Sequence, residues 1–149
     1  MLAASAPEER IHLASAIRIL EVDDYEPWRT YVRETIQQHP ELCLAGEAGD
    51  GIEALQRCAS LHPDLVLLDM NLPLLNGMQV IRHLRATSEQ TKIVVVSEVE
   101  MSEIATEALR AGANGYVVKS EAETDLLPAI TAAVSGRVFL SQRLAERHH

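Results

Sequence analysis

Five short apolar runs alternate with segments that carry apolar residues at helical spacing, and this alternation limits the possible folds more than any other feature of the sequence. The runs are predicted strands, and they occupy residues 17–22, 42–47, 65–68, 92–96 and 115–118. Strands that are apolar throughout are typical of a parallel sheet that is buried on both faces. Helices must then cover both faces, because parallel strands need crossover connections. The sequence therefore predicts one doubly wound α/β domain with a five-stranded parallel sheet.

The segments between and after the strands predict five helices. They occupy residues 26–38, 51–60, 78–86, 102–110 and 123–134. Gly112 follows the fourth helix at the position where a left-handed C-cap is favoured. We divide the chain into an N-terminal extension (1–16), the α/β domain (17–140) and a C-terminal tail (141–149). The tail is expected to be a linker that ends in the remnant of a purification tag, because the last two residues are His148 and His149.

Composition excludes several classes of protein. The chain of 149 residues is 47% hydrophobic, which fits one globular domain with a single core. Its formal charge of −9 argues against direct binding of nucleic acid or an anionic membrane by this chain. No apolar run approaches the roughly 20 residues that a spanning helix needs, and Glu8, Glu9 and Arg10 interrupt any signal-like stretch. Cys43 and Cys58 have no metal-binding spacing, so we expect free thiols and a cytoplasmic location.

Polar residues that a buried core would not favour follow four of the five strands. Asp23 and Asp24 follow the first strand, Asp69 the third, Ser97 the fourth and Lys119 the fifth. Ligands of open parallel sheets bind at the edge where these strand ends meet. Three carboxylates together would repel one another unless a hard cation such as Mg²⁺ lay among them. A lysine and a hydroxyl supply a cation and a donor for further anionic oxygens. The pattern thus predicts a metal ion plus a phosphoryl group.

Each of these residues also has a purely structural interpretation. Asp24 could be the N-cap of the helix that begins near Pro27, and Asp69 could open a turn. Ser97 could cap a strand end, and Lys119 could be a solvated lysine. Taken alone, none of these residues distinguishes the structural interpretation from the functional one. The placement of all of them on strand ends of one sheet edge favours the site.

Four stretches of the chain resemble the successive motifs of the receiver domains of two-component response regulators. They are ILEVDDYEPWR, PDLVLLDMNLPLLNGM, KIVVVSE and GANGYVVKS, and the resemblance extends over residues 17–140. It implies a flavodoxin-like fold with strand order 2-1-3-4-5. It also implies a signalling switch that catalyses its own phosphorylation and dephosphorylation, with Mg²⁺ as cofactor.

The resemblance assigns roles to the residues that match the motifs. Asp69 corresponds to the aspartate that is phosphorylated. Lys119 and Ser97 correspond to the lysine and the hydroxyl that contact the phosphoryl group, and Ser97 forms a switch pair with Tyr116, which turns inward on phosphorylation. The implied ligands of Mg²⁺ are Asp23, Asp24, Asp69 and the backbone carbonyl of Asn71.

Three residues depart from the family pattern. Ser120 follows Lys119 where many receivers have a proline after a cis peptide bond. Glu98 occupies a position that is usually small, and we expect its side chain to point to solvent. Glu21 lies inside the first strand, where burial disfavours a carboxylate.

The resemblance further implies a sensor histidine kinase as phosphoryl donor and the capacity to form a homodimer. The ending AETDLLPAITAAVSGRVFLS resembles receivers that precede a LuxR-type helix-turn-helix domain, so we expect a transcriptional output through a domain outside this chain. The alternative is a stand-alone receiver that acts by protein–protein interaction. Less favoured are an interaction module that is never phosphorylated, a haloacid-dehalogenase-type phosphatase, which would need an aspartate in place of Asn71, and an FMN-binding flavodoxin-like protein.

Overall fold

The computed structural model describes residues 16–147. The predicted N-terminal extension, except for its last residue, lies outside the described residues, and so do His148 and His149. Within the described part, no helix combines the length and the apolar character that crossing a membrane requires.

The strands form one parallel sheet in the order β2-β1-β3-β4-β5-β6. Their bounds are β1 Ile17–Val22, β2 Leu42–Ala48, β3 Leu65–Leu68, β4 Lys92–Ser97, β5 Gly115–Val118 and β6 Phe139–Leu140. The predicted order 2-1-3-4-5 is confirmed, but the predicted number of strands is one too small. The sixth strand pairs Phe139 with Gly115 and Leu140 with Tyr116. Two residues are too few to produce a strand pattern in the sequence, since their pairing depends on backbone groups of a distant segment.

Six α-helices and one 3₁₀ turn accompany the sheet in the described residues. The helices are α1 Glu26–Gln37, α2 Gly51–Leu61, α3 Gly77–Thr87, α4 Ser102–Ala111, α5 Ala122–Val134 and α6 Gln142–Arg147, and the 3₁₀ turn is Lys119–Glu121. The first five agree with the predicted helices to within a residue or two. The sixth lies in the segment that we predicted to be a tail. The division of the chain into domains remains a prediction.

The core has two halves, one on each face of the sheet, because alternate strand residues point to opposite faces. Along β1, Leu20 and Val22 pack toward α2, α3 and α4. Ile19 packs toward α1 and α5. Glu21 and Asp23 continue the alternation that Ile19 begins, so they belong to the α1–α5 side. The sheet is thus covered on both faces, as its apolar strands predicted.

Side-chain caps determine where two helices begin beside the functional edge. Asn76 and Gln79 form a reciprocal capping box at the start of α3, with both hydrogen bonds at 2.9 Å. Asp50 caps α2 by accepting from the Glu53 N–H at 2.7 Å. These caps satisfy backbone N–H groups that helices leave unpaired at their starts. They place the first turns of α2 and α3 next to the loop that follows β3.

Candidate functional site

Asp23 and Asp24 lie where β1 ends and the chain turns toward α1. The Asp23 N–H donates to the Ala48 carbonyl of β2 at 3.0 Å, and the buried Asp23 Oδ1 accepts from the Tyr25 N–H at 2.9 Å. The N-cap of α1 is Tyr25, and no side-chain cap is present. Asp24 is therefore not the helix cap that the structural alternative required. Its carboxylate is exposed at the sheet edge.

Asp69 joins this pair from the end of β3. Its N–H donates to the Val22 carbonyl at 3.0 Å, which aligns the ends of the two neighbouring strands. Carboxylate oxygens of Asp23, Asp24 and Asp69 lie within 4.8 Å of one another. Asp69 is 6% exposed, so little of its surface is in contact with solvent. The three residues that the sequence placed at one edge are brought together.

The electrostatics of the site disfavour an additional negative charge. Burial, and secondarily the neighbouring Asp23 carboxylate, raises the pKa of Asp69 from 3.8 to about 6. Lys119 and the backbone N–H groups of Asn71 and Met70 act in the opposite direction. A cation placed among the oxygens of these carboxylates would therefore stabilise their charged form.

Lys119 supplies one positive charge from the end of β5. Its Nζ lies 2.7 Å from Asp23 Oδ2 and 4.0 Å from Asp69 Oδ2. The ammonium also lies 4.9 Å from the centroid of the Trp28 ring, at a distance typical of cation–π contacts. With a side chain that is 11% exposed, Lys119 is not the solvated lysine of the structural alternative. The described residues contain no cis peptide bond, so Lys119 and Ser120 are joined by a trans bond.

Ser97 and Tyr116 lie on the neighbouring strands β4 and β5, and both are fully buried. Ser97 Oγ accepts from the Val99 N–H at 3.1 Å, and the Tyr116 hydroxyl donates to the Val99 carbonyl at 2.9 Å. Burial raises the pKa of Tyr116, while a hydrogen bond with Ser97 lowers it. Tyr116 already points inward in this structure. The switch role that the resemblance assigned to Ser97 and Tyr116 remains a prediction. Glu98, the residue after Ser97, is exposed as expected.

Three further residues shape the site, and sequence reasoning did not assign them to it. Trp28 contacts Lys119 from α1, and Arg29 Nη1 donates to the Asp23 carbonyl at 2.6 Å. A Cβ on Gly77 would lie 2.5 Å from the Asp69 carbonyl oxygen and 2.7 Å from Met70 Cα. Glycine therefore lets the start of α3 approach the back of Asp69. In the sequence, the sign of this contact is the glycine directly after Asn76. Glycine at such a position is typical of a helix that begins in close contact with a neighbouring segment.

Glu21 lies beneath the site and is 1% exposed. Burial raises its pKa well above the ordinary value, and the nearby Asp23 carboxylate adds to the effect. Its Oε2 is buried without a hydrogen-bond partner among the described residues. A separate cavity of about 780 Å³ lies at the opposite edge of the sheet, with Cys58, His62 and His83 in its lining, and it shares no residue with the aspartate cluster.

Comparison with known proteins identifies the class to which this fold and site belong. The sequence model of the response regulator receiver domain matches residues 19–131, which is most of the chain. The protein therefore belongs to the response regulator receiver family, as the motifs predicted, and is a receiver domain of two-component signal transduction.

Individual relatives agree with this assignment. The nitrate/nitrite response regulator protein NarL of Escherichia coli K12 is 39% identical over 126 residues, which cover 85% of this chain and 58% of NarL. The DNA-binding transcriptional activator DevR/DosR of Mycobacterium tuberculosis is 33% identical over 129 residues, which cover 87% of this chain and 59% of that protein. The chain thus spans somewhat less than two thirds of the length of these curated relatives.

A solved structure shows the same fold over nearly the full described chain. The two-component response regulator of the LuxR family from Aurantimonas sp. SI85-9A1 superposes with a TM-score of 0.85 at 34% identity. The superposition covers 89% of this chain and 94% of that one. The backbone likeness therefore extends to almost all of the solved chain.

Proposed function

We propose that this receiver accepts a phosphoryl group on Asp69 from a sensor histidine kinase, in a reaction that depends on Mg²⁺. The observation that carries the proposal is the cluster of three carboxylates within 4.8 Å, with the Lys119 ammonium 4.0 Å from Asp69. Such a cluster can hold a cation beside the nucleophile, and Lys119 supplies a second positive charge nearby. Phosphoryl transfer needs this distribution of charge around the transferring group.

Asp23, Asp24 and Asp69 fit Mg²⁺ in their chemistry as well as their position. All three offer the oxygen ligands that Mg²⁺ prefers, and the exposed Asp24 leaves room for the waters that this ion retains. Burial, and secondarily Asp23, raises the pKa of Asp69, and a cation beside it would favour its carboxylate form. We assign the backbone carbonyl of Asn71 as a further ligand on the family resemblance. When bound, Mg²⁺ would neutralise the oxygens of the phosphoryl group.

The chain's own residues account for the remaining chemistry. A carboxylate oxygen of Asp69 attacks the phosphorus of the donor's phosphohistidine, a P–O bond forms, and the P–N bond breaks with its electron pair left on the imidazole. Lys119 lies close enough to neutralise a phosphoryl oxygen on Asp69 after a small movement from Asp23. Ser97 would donate its hydroxyl hydrogen to another oxygen, since the bond that its Oγ accepts from the Val99 N–H does not use this hydrogen.

Phosphorylation acts by shifting the population between two packings of the edge around β4 and β5. The phosphoryl group can stabilise only the packing in which it makes better contacts. Ser97 moves toward Asp69 in that packing and draws the loop after β4 with it. Because Tyr116 already lies inward and bonds to Val99, its hydroxyl would follow this loop. The surface formed by α4 and β5 then changes shape.

We further propose that the output is transcriptional and resides in a domain outside this chain. Support comes from the LuxR-family regulator with the same fold and from the activator DevR/DosR, each similar to this chain. The charge of −9 supports the view that this chain does not itself bind DNA. A homodimer would couple phosphorylation to paired DNA-binding domains. The cytoplasmic location stays a prediction.

The test is intact mass after incubation with acetyl phosphate, with and without Mg²⁺. We expect one phosphate adduct that requires Mg²⁺ and that Asp69→Asn abolishes. Glu98→Gln is the matched control, since it removes an exposed carboxylate next to Ser97 and should leave the adduct unchanged. Absence of an adduct in the folded wild-type protein would contradict the proposal and would favour an interaction module that is never phosphorylated.

A further inference from the structure

The C-terminal segment, residues 139–147, is built into the receiver although it lies beyond the 19–131 match to the family. It consists of β6, Ser141 and α6. Leu144 is fully buried in the half of the core that also contains Tyr116 and Ala108. This anchorage holds the segment against α4 and β5, which form the surface that phosphorylation is expected to change.

Ser141 fastens the segment to the end of β5. Its Oγ accepts from the Val118 N–H at 3.1 Å and donates to Asp125 Oδ2 at 2.8 Å. Its own N–H donates to the Tyr116 carbonyl at 3.0 Å. Val118 immediately precedes Lys119, so the segment is attached next to a residue of the phosphorylation site.

Arg143 extends from the same segment to two loops of that site. Its Nη1 lies 2.8 Å from Glu100 Oε1, and its Nε lies 3.3 Å from Glu121 Oε1. Glu100 follows Ser97 by three residues, and Glu121 follows Lys119 by two. The Arg143 guanidinium therefore connects two loops. One follows Ser97 and the other follows Lys119, the two residues expected to contact the phosphoryl group.

We infer that Arg143 is a positioning residue of the phosphorylation switch, which holds the loop after Ser97 and the turn after Lys119 in the arrangement of the unphosphorylated protein. The inference rests on the proposed phosphorylation of Asp69. Movement of Ser97 toward the phosphoryl group would shift Glu100, which follows Ser97 by three residues, and would disturb its ion pair with Arg143. The two ion pairs of Arg143 therefore oppose phosphorylation. By reciprocity, phosphorylation weakens the attachment of the C-terminal segment.

The size of the coupling is limited by the exposure of the ion pairs. The Arg143 side chain is 49% exposed, and pairs of this kind contribute little to stability. Leu144 and Ser141 hold the segment in place, so Arg143 adds only the contribution of its two ion pairs to the position of the loops. Loss of such a pair should change the acetyl phosphate concentration that gives half phosphorylation by roughly two- to fivefold.

The experiment compares Arg143→Gln with Arg137→Gln across a series of acetyl phosphate concentrations, read by intact mass in the presence of Mg²⁺. Arg137 is an exposed arginine of the same region for which the structure gives no ion pair, so its variant controls for loss of one positive charge. We expect Arg143→Gln to reach half phosphorylation at a two- to fivefold lower concentration, and Arg137→Gln to match the wild type. Half phosphorylation of Arg143→Gln at the wild-type or a higher concentration would overturn the inference.

A second measurement uses the wild-type chain and does not depend on any substitution. Hydrogen–deuterium exchange of residues 139–147 is followed with and without beryllofluoride and Mg²⁺, which imitate the phosphoryl group. Faster exchange of this segment in the loaded form supports the coupling, and unchanged or slower exchange contradicts it. Failure of the wild type to take up phosphate at all would instead count against the proposed function, so the two failures are distinguishable.

Discussion

The ammonium of Lys119 lies closer to Asp23 than to Asp69, at 2.7 Å from Asp23 Oδ2 against 4.0 Å from Asp69 Oδ2. In this arrangement Lys119 neutralises the buried carboxylate of the expected metal site rather than the expected nucleophile. The lysine and Mg²⁺ therefore compete for the same negative charge before the phosphoryl group arrives.

The substitution Lys119→Met distinguishes the effect of Lys119 on Mg²⁺ binding from its effect on phosphoryl transfer. Removal of the ammonium should raise the affinity for Mg²⁺ roughly three- to tenfold, because a cation no longer repels the incoming ion. Phosphorylation by acetyl phosphate should nevertheless slow by about tenfold or more, since a charge that stabilises the transferring group is lost. Calorimetric titration with MgCl₂ and intact mass measure the two effects. Lys92→Met, at the opposite edge of the sheet, is the control, and unchanged affinity for Mg²⁺ in Lys119→Met would refute the competition.

The pH dependence of stability should reveal the raised pKa of Asp69. Its pKa is about 6 in the folded chain against 3.8 ordinarily, so the folded state holds this proton more tightly than the unfolded state. The free energy of unfolding therefore falls as pH rises from about 4 to 6, and the loss persists above that range. Without metal at pH 7, Asp69→Asn should be more stable than the wild type by at most about 3 kcal/mol.

Urea denaturation between pH 4 and pH 8 measures this difference, which should vanish toward pH 4. Mg²⁺ should raise the melting temperature of the wild type more at pH 7 than at pH 5, because the ligands must be deprotonated. Glu98→Gln removes the same charge from an exposed position, so it should show no such stability difference and should respond to Mg²⁺ as the wild type does. A difference between Asp69→Asn and the wild type that is independent of pH would rule out this explanation.

Replacement of Glu21 by leucine should stabilise the protein. Its carboxyl is buried in the α1–α5 half of the core, and Oε2 has no hydrogen-bond partner in the described part of the chain. An apolar side chain of similar size removes this desolvation cost, and we expect a gain of about 1–3 kcal/mol in the free energy of unfolding.

The contrasting variant is Glu47→Leu. Glu47 is the register partner of Glu21 on β2, but it accepts two hydrogen bonds from Arg33, at 2.7 and 2.9 Å. Its replacement should destabilise the protein, because the paired arginine is left without its acceptor. Chemical denaturation of both variants decides the matter, and a destabilised Glu21→Leu would show that the buried carboxyl has a partner in solution.

Gly77→Ala should disturb the site through the backbone of Asp69 and Met70. The added Cβ would meet the Asp69 carbonyl oxygen at 2.5 Å, so either α3 or the residue before Met70 must shift. We expect a loss of about 1–3 kcal/mol in stability, together with slower phosphorylation. Gly49→Ala is the control, since its nearest neighbour would be 3.7 Å away. Equal melting temperatures for Gly77→Ala and the wild type would contradict the packing argument.

The strands and the residues at their ends could be predicted because their signals are local. An apolar run such as 65–68 indicates a buried strand wherever it occurs, and a parallel sheet brings all carboxyl ends to one edge. Asp23, Asp69 and Lys119 could therefore be placed together before any coordinates were known. Their agreement with the family motifs then gave each a role.

Contacts between segments that are distant in the chain could not be predicted in this way. The pairing of Phe139 with Gly115 depends on backbone groups that carry no sequence pattern, and the approach of Trp28 to Lys119 depends on how α1 packs on the sheet. Arg143 looks like any exposed arginine of a tail until α6 places it between two acidic loops. Local propensity and spacing determine which elements form and which strand ends meet, whereas side-chain contacts across elements arise from packing in three dimensions.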